Sequence, residues 1–286
     1  MTYHEAARAV GRELNIAQNR PGPGPRPQAA SRTVPLTSVL AQTSALPAQA
    51  QAPVDLSLPG QQWQARAAEL VDYATDRLAN HAEVMAYLQS RGLTVETIRR
   101  YRLGWWPIDW YYKRSAWGLP VMIEHGKRKD LWVPAGVVIP YIQDGQVFRI
   151  RFRRFQGNPR YYLLPGSYTG PAIYGDHAVV VVVESELDGL LLTQEADGLA
   201  AVVALGSAVT RPDRPTADLL RRAALILVAL DYDETGGREA WHWWLKQWPQ
   251  AQRLPPINGK DPGEMYLNGI SLAKWVEIGI SEYLPY

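Results

Sequence analysis

Five consecutive valines, Val179 to Val183, run straight into Glu184, and Asp188 follows four residues on. A second apolar run, Leu225-Ile226-Leu227-Val228-Ala229-Leu230, leads into Asp231-Tyr232-Asp233, with Gly236-Gly237 behind it. Unbroken β-branched and aliphatic runs of this length read as strands buried on both faces of a parallel sheet. Open α/β sheets place their ligands beyond the carboxyl ends of such strands. Two neighbouring strands ending in Glu and in Asp-x-Asp therefore gather at least three carboxylates in one crevice. Like charges that close need a cation, and all-oxygen donors suit Mg²⁺ or Mn²⁺. A single Asp after a strand is commonly a helix N-cap or turn residue, and Asp188 taken alone fits that reading as well. The ordered set, with Lys260-Asp261-Pro262-Gly263-Glu264 further on, argues against coincidence.

These residues resemble the TOPRIM domain shared by DnaG-type primases, type IA and II topoisomerases and some nucleases. The resemblance rests on Val182-Val183-Glu184-x-x-x-Asp188, Leu205-Gly206-Ser207-Ala208-Val209-Thr210, Asp231-x-Asp233 and Lys260-Asp261-Pro262. The Leu-Gly-Ser-Ala-Val-Thr segment points to primases rather than topoisomerases. Upstream, Tyr87-Leu88-x-x-Arg91-Gly92-Leu93-x-x-Glu96-Thr97-Ile98-x-x-Tyr101-x-Leu103-Gly104 looks like the opening of a primase catalytic core. Val138-Ile139-Pro140, Gly145-Gln146-Val147 and Pro159-Arg160-Tyr161 resemble its basic, template-contacting subdomain, and Ile173-Tyr174-Gly175 the junction between the two. The similarity is colinear over residues 60 to 275. Two positions depart from the pattern. Ser185 stands where a Gly usually follows the motif Glu, and Gly263 where primases often carry another acid.

The expected fold class is α/β: a Rossmann-like parallel TOPRIM sheet with flanking helices, preceded by a smaller α+β basic subdomain. Four segments are expected. Residues 1–18 hold a short N-terminal helix, with Ala6, Ala9, Val10 and Leu14 near helical spacing, and it looks like the closing helix of a primase zinc module. Residues 19–60 are rich in Pro, Ala, Gln and Gly and read as a disordered linker. Residues 61–176 form the basic subdomain, beginning with helices over 61–103, where Arg91-Gly92-Leu93 stops one helix and Thr94 caps the next, and continuing as short strands with a turn at Asp144-Gly145. Residues 177–286 form the TOPRIM domain, where strands and helices alternate.

Charge excludes a global polyelectrolyte, since the net value is only +2, so any nucleic-acid surface is local. Between Asp144 and Asp176 there is no acid, yet Arg149, Arg151, Arg153, Arg154 and Arg160 all lie there. On a strand, Arg149, Arg151 and Arg153 share one face and Phe148, Ile150 and Phe152 the other. The apolar face reads as core. The arginine face offers forked donors to phosphates, with Tyr161 and Tyr162 near enough to stack on bases. The alternative is a solvated face balanced by acids elsewhere. Trp105, Trp106, Trp110, Tyr111, Tyr112 and Trp117 suit a stacking platform, although core packing is the commoner use of such residues. Trp241, Trp243, Trp244 and Trp248 read as packing or as an apolar patch.

The resemblance implies a DNA primase, a metal-dependent nucleotidyltransferase making short RNA primers on single-stranded DNA from NTPs. It assigns Asp231, Asp233 and Asp261 to metal, Glu184 to metal or general base, and Asp188 to metal or to a partner of the ligands. Glu184, Asp231 and Asp233 form the catalytic set. Arg149, Arg151, Arg153, Arg160 and Lys260 are the nucleic-acid and nucleotide contacts, Arg153 and Arg160 matching basic positions of primases. The chain has no cysteine, so no Cys-based zinc site is expected, and the zinc module is expected to be a separate polypeptide or lost. A zinc-module protein or a replicative helicase is the partner expected in trans. This combination resembles short primases of phages and mobile elements. No apolar run approaches the ~20 residues of a membrane span, and no signal peptide is apparent, so a cytoplasmic location is expected. A TOPRIM nuclease and a silent DNA-binding or partner-recruiting module remain as alternatives.

Overall fold

A computed structural model describes residues 56–231 and 237–284. The short helix expected within residues 1–18, most of the expected linker, Tyr232, Asp233 and Gly236 lie outside the described residues.

The chain opens with helix α1 (Gln61–Ala79), which buries Trp63, Ala67, Leu70, Val71, Ala74 and Leu78. These positions recur at three- and four-residue spacing and so line one helical face. Helices α2 (Ala82–Ser90) and α3 (Val95–Arg100) follow. Thr94 caps α3, its hydroxyl accepting from the Thr97 N–H at 3.1 Å, as the sequence indicated. Strands β1 (Gly104–Trp106), β2 (Trp110–Tyr112), β3 (Ile123–Glu124), β4 (Lys127–Arg128), β5 (Leu131–Val133), β6 (Gly136–Gln143), β7 (Gln146–Arg153) and β8 (Tyr161–Leu163) come next. Four of them form an antiparallel sheet in the order β1-β6-β7-β8, while β2 pairs with β5 and β3 with β4. Asp144 and Gly145, both at positive φ (49° and 75°), make the two-residue turn between β6 and β7. Helix α1 packs across β1 so closely that a Cβ on Gly104 would lie 2.6 Å from the Ala74 Cβ. Only glycine permits that approach.

The second half comprises β9 (Ala172–Tyr174), β10 (Val179–Val183), α4 (Glu186–Glu195), β11 (Ala201–Ala204), α5 (Arg214–Arg222), β12 (Leu225–Val228), α6 (Gly237–Gln247), β13 (Ala251–Arg253), α7 (Pro262–Leu267) and α8 (Leu272–Tyr283). Its sheet has the order β13-β12-β10-β11-β9, with β10 to β13 parallel and β9 antiparallel at one edge. Strand β9 lies before residue 176, where the sequence reading divided the chain, yet its hydrogen bonds go to β11 of the second sheet.

The valine run is explained by what covers it. Val179, Val181 and Val183 enter one core together with Leu187, Leu190 and Leu191 of α4. Val180 and Val182 enter another with Leu219 and Leu220 of α5 and Trp244 and Trp248 of α6. With both faces covered, no position can be polar. Trp244 and Trp248 are thus packing residues. The first of these cores also contains Val137, Ile139 and Tyr141 of β6, so one continuous apolar layer joins the two sheets. Among the described residues no helix is long and apolar enough to cross a membrane.

Candidate active site

The parallel strands end at a cavity of about 500 Å³ that opens between the two sheets. Strand register places the acids there. Val182 pairs with Val228, and the Ala229 N–H donates to the Val182 carbonyl at 2.9 Å, so Glu184 and Asp231 emerge from adjacent strand ends. Asp188 comes from the first turn of α4 and Asp261 from the residue preceding α7. All four acids line the cavity.

Local chemistry explains several of these positions. Ser185 is the N-cap of α4: its Oγ accepts from the Asp188 N–H at 3.2 Å and donates to Asp188 Oδ2 at 2.5 Å. The departure from the usual Gly therefore adds a cap and fixes a site carboxylate. Replacing Ser185 by Ala should cost about 1 kcal/mol of stability, and by Gly only a few tenths, as read from chemical denaturation. Asp188 is thus not the cap that its spacing allowed. Asp261 does cap a helix, accepting from the Glu264 N–H at 2.7 Å.

Gly263 has its own reason. Its N–H donates to Asp188 Oδ1 at 3.2 Å, and a Cβ there would stand 2.8 Å from the same oxygen. An acid at this position would collide with Asp188. Gly263→Ala is expected to lower stability by roughly 1–3 kcal/mol through overpacking, measurable as a reduced denaturation midpoint.

The acids strain one another electrostatically. Burial, then Glu184, Asp188 and Asp261, push the Asp231 carboxyl up to about 8, with Lys260 opposing. Asp231 Oδ1 is buried with no hydrogen-bond partner among the described residues. Burial and then Asp261 push Asp188 up to about 6, against Ser185, Arg91 and the Gly263 N–H. No group of three His, Asp or Glu side chains among the described residues is gathered tightly enough to hold an ion as it stands. Asp233, expected to complete the set, lies outside the described residues. An orphaned, buried carboxylate oxygen amid mutually repelling acids nonetheless fits a hard divalent cation with oxygen ligands.

The opposite wall is basic, from Arg151 and Arg153 of β7, Arg160 ahead of β8, and Arg91 at the end of α2. Lys260 joins from the acidic side, paired with Glu264 at 3.1 Å. Burial lowers the Arg91 pKa, but Tyr87, Tyr161 and Asp188 outweigh it and raise it above its ordinary value. Burial, opposed by Arg91, pushes the Tyr161 hydroxyl up to about 12.

The arginine ribbon differs from expectation. Arg149 is 1% exposed, donates to the Gly170 carbonyl at 2.7 Å and lies 3.5 Å from Glu186. Arg151 reaches Glu186 at 2.9 Å and donates to the Gly206 carbonyl at 2.9 Å. Arg153, 4% exposed, rests over the Tyr87 and Phe155 rings. Both faces of β7 are covered because the second half of the chain packs against the face expected to meet solvent. Arg149 therefore has no route to a phosphate, and the arginines are partly balanced by an acid far beyond the end of β7 in the sequence. That acid, Glu186, is only 2% exposed and was not singled out in the sequence. An acid in a helix's first turn ordinarily signals nothing but the helix dipole. Arg91 was legible as part of a helix stop and of the segment resembling the opening of a primase core, and not as a wall of this cavity.

No protein-family model matches the chain. The DNA primase of Neisseria meningitidis serogroup A is 28% identical over 195 residues, covering 59% of this chain and 32% of the relative. The match thus spans about a third of the length of that relative. Among solved structures, the DnaG primase catalytic domain bound to ssDNA aligns with a TM-score of 0.58 at 19% identity, covering 76% of this chain and 81% of that one. The Aquifex aeolicus primase, comprising zinc-binding and RNA polymerase domains, gives 0.56 at 21% identity, covering 76% and 61%. The chain has the fold of a DnaG-type primase core. That fold is what brings the carboxyl edge of the parallel sheet against the antiparallel sheet.

Proposed function

We propose that this chain is a primase-like nucleotidyltransferase that joins NTPs into short RNA primers on single-stranded DNA, using a TOPRIM-type carboxylate site. The observation that carries this reading is the cavity itself, where Glu184, Asp188, Asp231 and Asp261 face Arg151, Arg153 and Arg160. Phosphoryl transfer asks a protein mainly to position groups and balance charge. The two walls supply both signs. Similarity to neisserial DNA primases and the shared core fold support the choice among chemistries.

In this reading Asp231, Asp233 and Asp261 hold Mg²⁺ or Mn²⁺, together with Glu184 and Asp188. When bound, the ion makes a primer 3′-hydroxyl a better nucleophile and steadies the charge on departing pyrophosphate. Arg153, Arg160 and Lys260 hold the triphosphate or template phosphates, Arg153 keeping its orientation through the Tyr87 and Phe155 rings. Arg151, tied to Glu186 and to the Gly206 carbonyl, presents a fixed rather than a swinging charge. Glu184 takes the proton of the attacking hydroxyl or serves the ion. The 3′-oxygen forms a bond to the α-phosphorus, and the bond from that phosphorus to the bridging oxygen breaks.

A zinc-bearing module and a replicative helicase are proposed as partners in trans. The test is incorporation of radiolabelled NTPs on single-stranded DNA, with Mg²⁺ and with Mn²⁺, alongside the same DNA end-labelled. Metal-dependent incorporation is expected. Cleavage of the labelled DNA without incorporation would instead identify a nuclease.

A further inference from the structure

The aromatic segment from Trp105 to Trp117 is divided by the fold. Trp105, Trp106 and Trp117 are core, whereas Trp110 and Tyr111 on β2 are 49% and 62% exposed. Their strand leads back to the cavity. Tyr111 pairs across β2 and β5 with Trp132, and Trp132 packs on Tyr162 of β8 with ring centroids 4.9 Å apart. Tyr162 is the neighbour of Tyr161, and successive strand residues face opposite ways. Tyr161 lines the cavity while Tyr162 serves the other face. Strand β8 is the edge of its sheet and only three residues long, so a chain leaving the cavity past Arg160 meets Tyr162 as soon as it rounds that edge.

Guanidinium groups accompany the rings. Arg154 lies 4.7 Å from the centre of the Trp132 ring, and Arg114 follows closely on the end of β2, its Nε donating to the Pro120 carbonyl at 2.8 Å. Arg160 is exposed at the start of the path. The Tyr111 ring is exposed, and those of Trp132 and Tyr162 are partly so. Accessible rings interleaved with arginines suit unpaired bases, which stack on π-faces while their phosphates meet the cations.

We propose that Tyr162, Trp132 and Tyr111 form a stacking track that carries single-stranded nucleic acid from the cavity, around the β8 edge, onto β2, with Arg160 and Arg114 as phosphate contacts. The proposal rests on the template-directed reading above, and it adds to that reading a path and the residues that make it. The track is sequence-tolerant, because stacking and phosphate contacts carry no base-edge readout.

The experiment is fluorescence anisotropy of a labelled oligo(dT) with the whole chain, in buffer lacking nucleotide and divalent metal. Tyr111→Leu with Tyr162→Leu keeps apolar bulk but removes both π-faces, and should weaken binding roughly 20-fold or more. Its log–log salt slope should match the wild type, since no phosphate contact is lost, whereas Arg114→Ala should lower the slope by about 0.7. Tyr111→Phe with Tyr162→Phe should bind as the wild type does. Wild-type affinity in the leucine variant would overturn the track, and so would equal losses in the phenylalanine variant. Failure here is separable from failure of the primase reading. A chain that incorporates NTPs while its binding ignores both tyrosines loses the track alone. A chain that binds oligo(dT) through them but incorporates nothing keeps the track and loses the primase.

Discussion

Asp231→Asn should abolish nucleotide incorporation, by roughly 100-fold or more, while the protein folds normally and melts a little higher than the wild type. The two halves of this outcome share a cause. Asp231 follows β12 into the cavity, where burial and three neighbouring carboxylates push it up to about 8 and one oxygen has no partner among the described residues. A buried charge so placed opposes folding unless a cation balances it. The amide keeps the shape, removes the repulsion and offers donors to the neighbouring acids, so the ion-free protein gains stability. It also removes the charge that an ion needs, so activity falls. Calorimetry without metal and incorporation of labelled NTPs read the two effects separately. Incorporation within a few-fold of the wild type would mean that Asp231 does not hold the ion.

Much of this geometry was legible because period and context agreed. An unbroken valine run has one economical home, a strand covered on both faces, and the acid that ends it must then sit at the sheet's carboxyl edge. Asp144-Gly145 between apolar runs named its own turn, and Thr94 its own cap. The arginine alternation on β7 was read correctly as a strand but incompletely as a surface. Period two shows that Arg149, Arg151 and Arg153 share a face, and says nothing of what lies opposite it. The answer depended on α4 packing there and delivering Glu186, a contact between segments far apart in sequence. Ser185 and Gly263 were visible as departures from a pattern. Ser185 bonds Asp188 twice within the first turn of α4, whereas the Gly263 bond to Asp188 exists only once α4 and α7 are brought together.

Those same contacts explain why the cavity has fixed walls. Arg149 and Arg151 belong to β7 of the antiparallel sheet, Glu186 to the helix that follows β10 of the parallel sheet, and the Gly206 carbonyl to the loop just beyond β11. The ion-pair cluster is therefore a tie across the cleft. The shared apolar layer holds the sheets together, and the buried charges set how they face each other. A greasy interface alone tolerates small rotations, whereas the Arg151 hydrogen bond to the Gly206 carbonyl is directional and the ion pairs to Glu186 add charge attraction to it.

Removing that tie should be costly. Glu186→Ala leaves two guanidinium groups without their shared acid, one of them almost wholly out of water. Deleting one partner of a buried ion pair typically costs about 3–5 kcal/mol, because the remaining charge is stranded. For a domain of this size that corresponds to a fall of about 10 °C in melting temperature. Glu186→Gln, which keeps the volume and one acceptor, should lose less. Arg149→Met adds a decisive arm: combined with Glu186→Gln it removes one stranded charge, so the double variant should be more stable than the sum of the single losses, with a coupling of about 0.5–3 kcal/mol. Additive losses would mean that the two residues are merely neighbours. Catalysis gives a further readout, since Arg151 lines the cavity and depends on Glu186 for its direction. Under conditions where Glu186→Gln is fully folded, its KM for NTPs should rise, while Arg149→Met, which leaves the Arg151–Glu186 contact in place, should change KM far less.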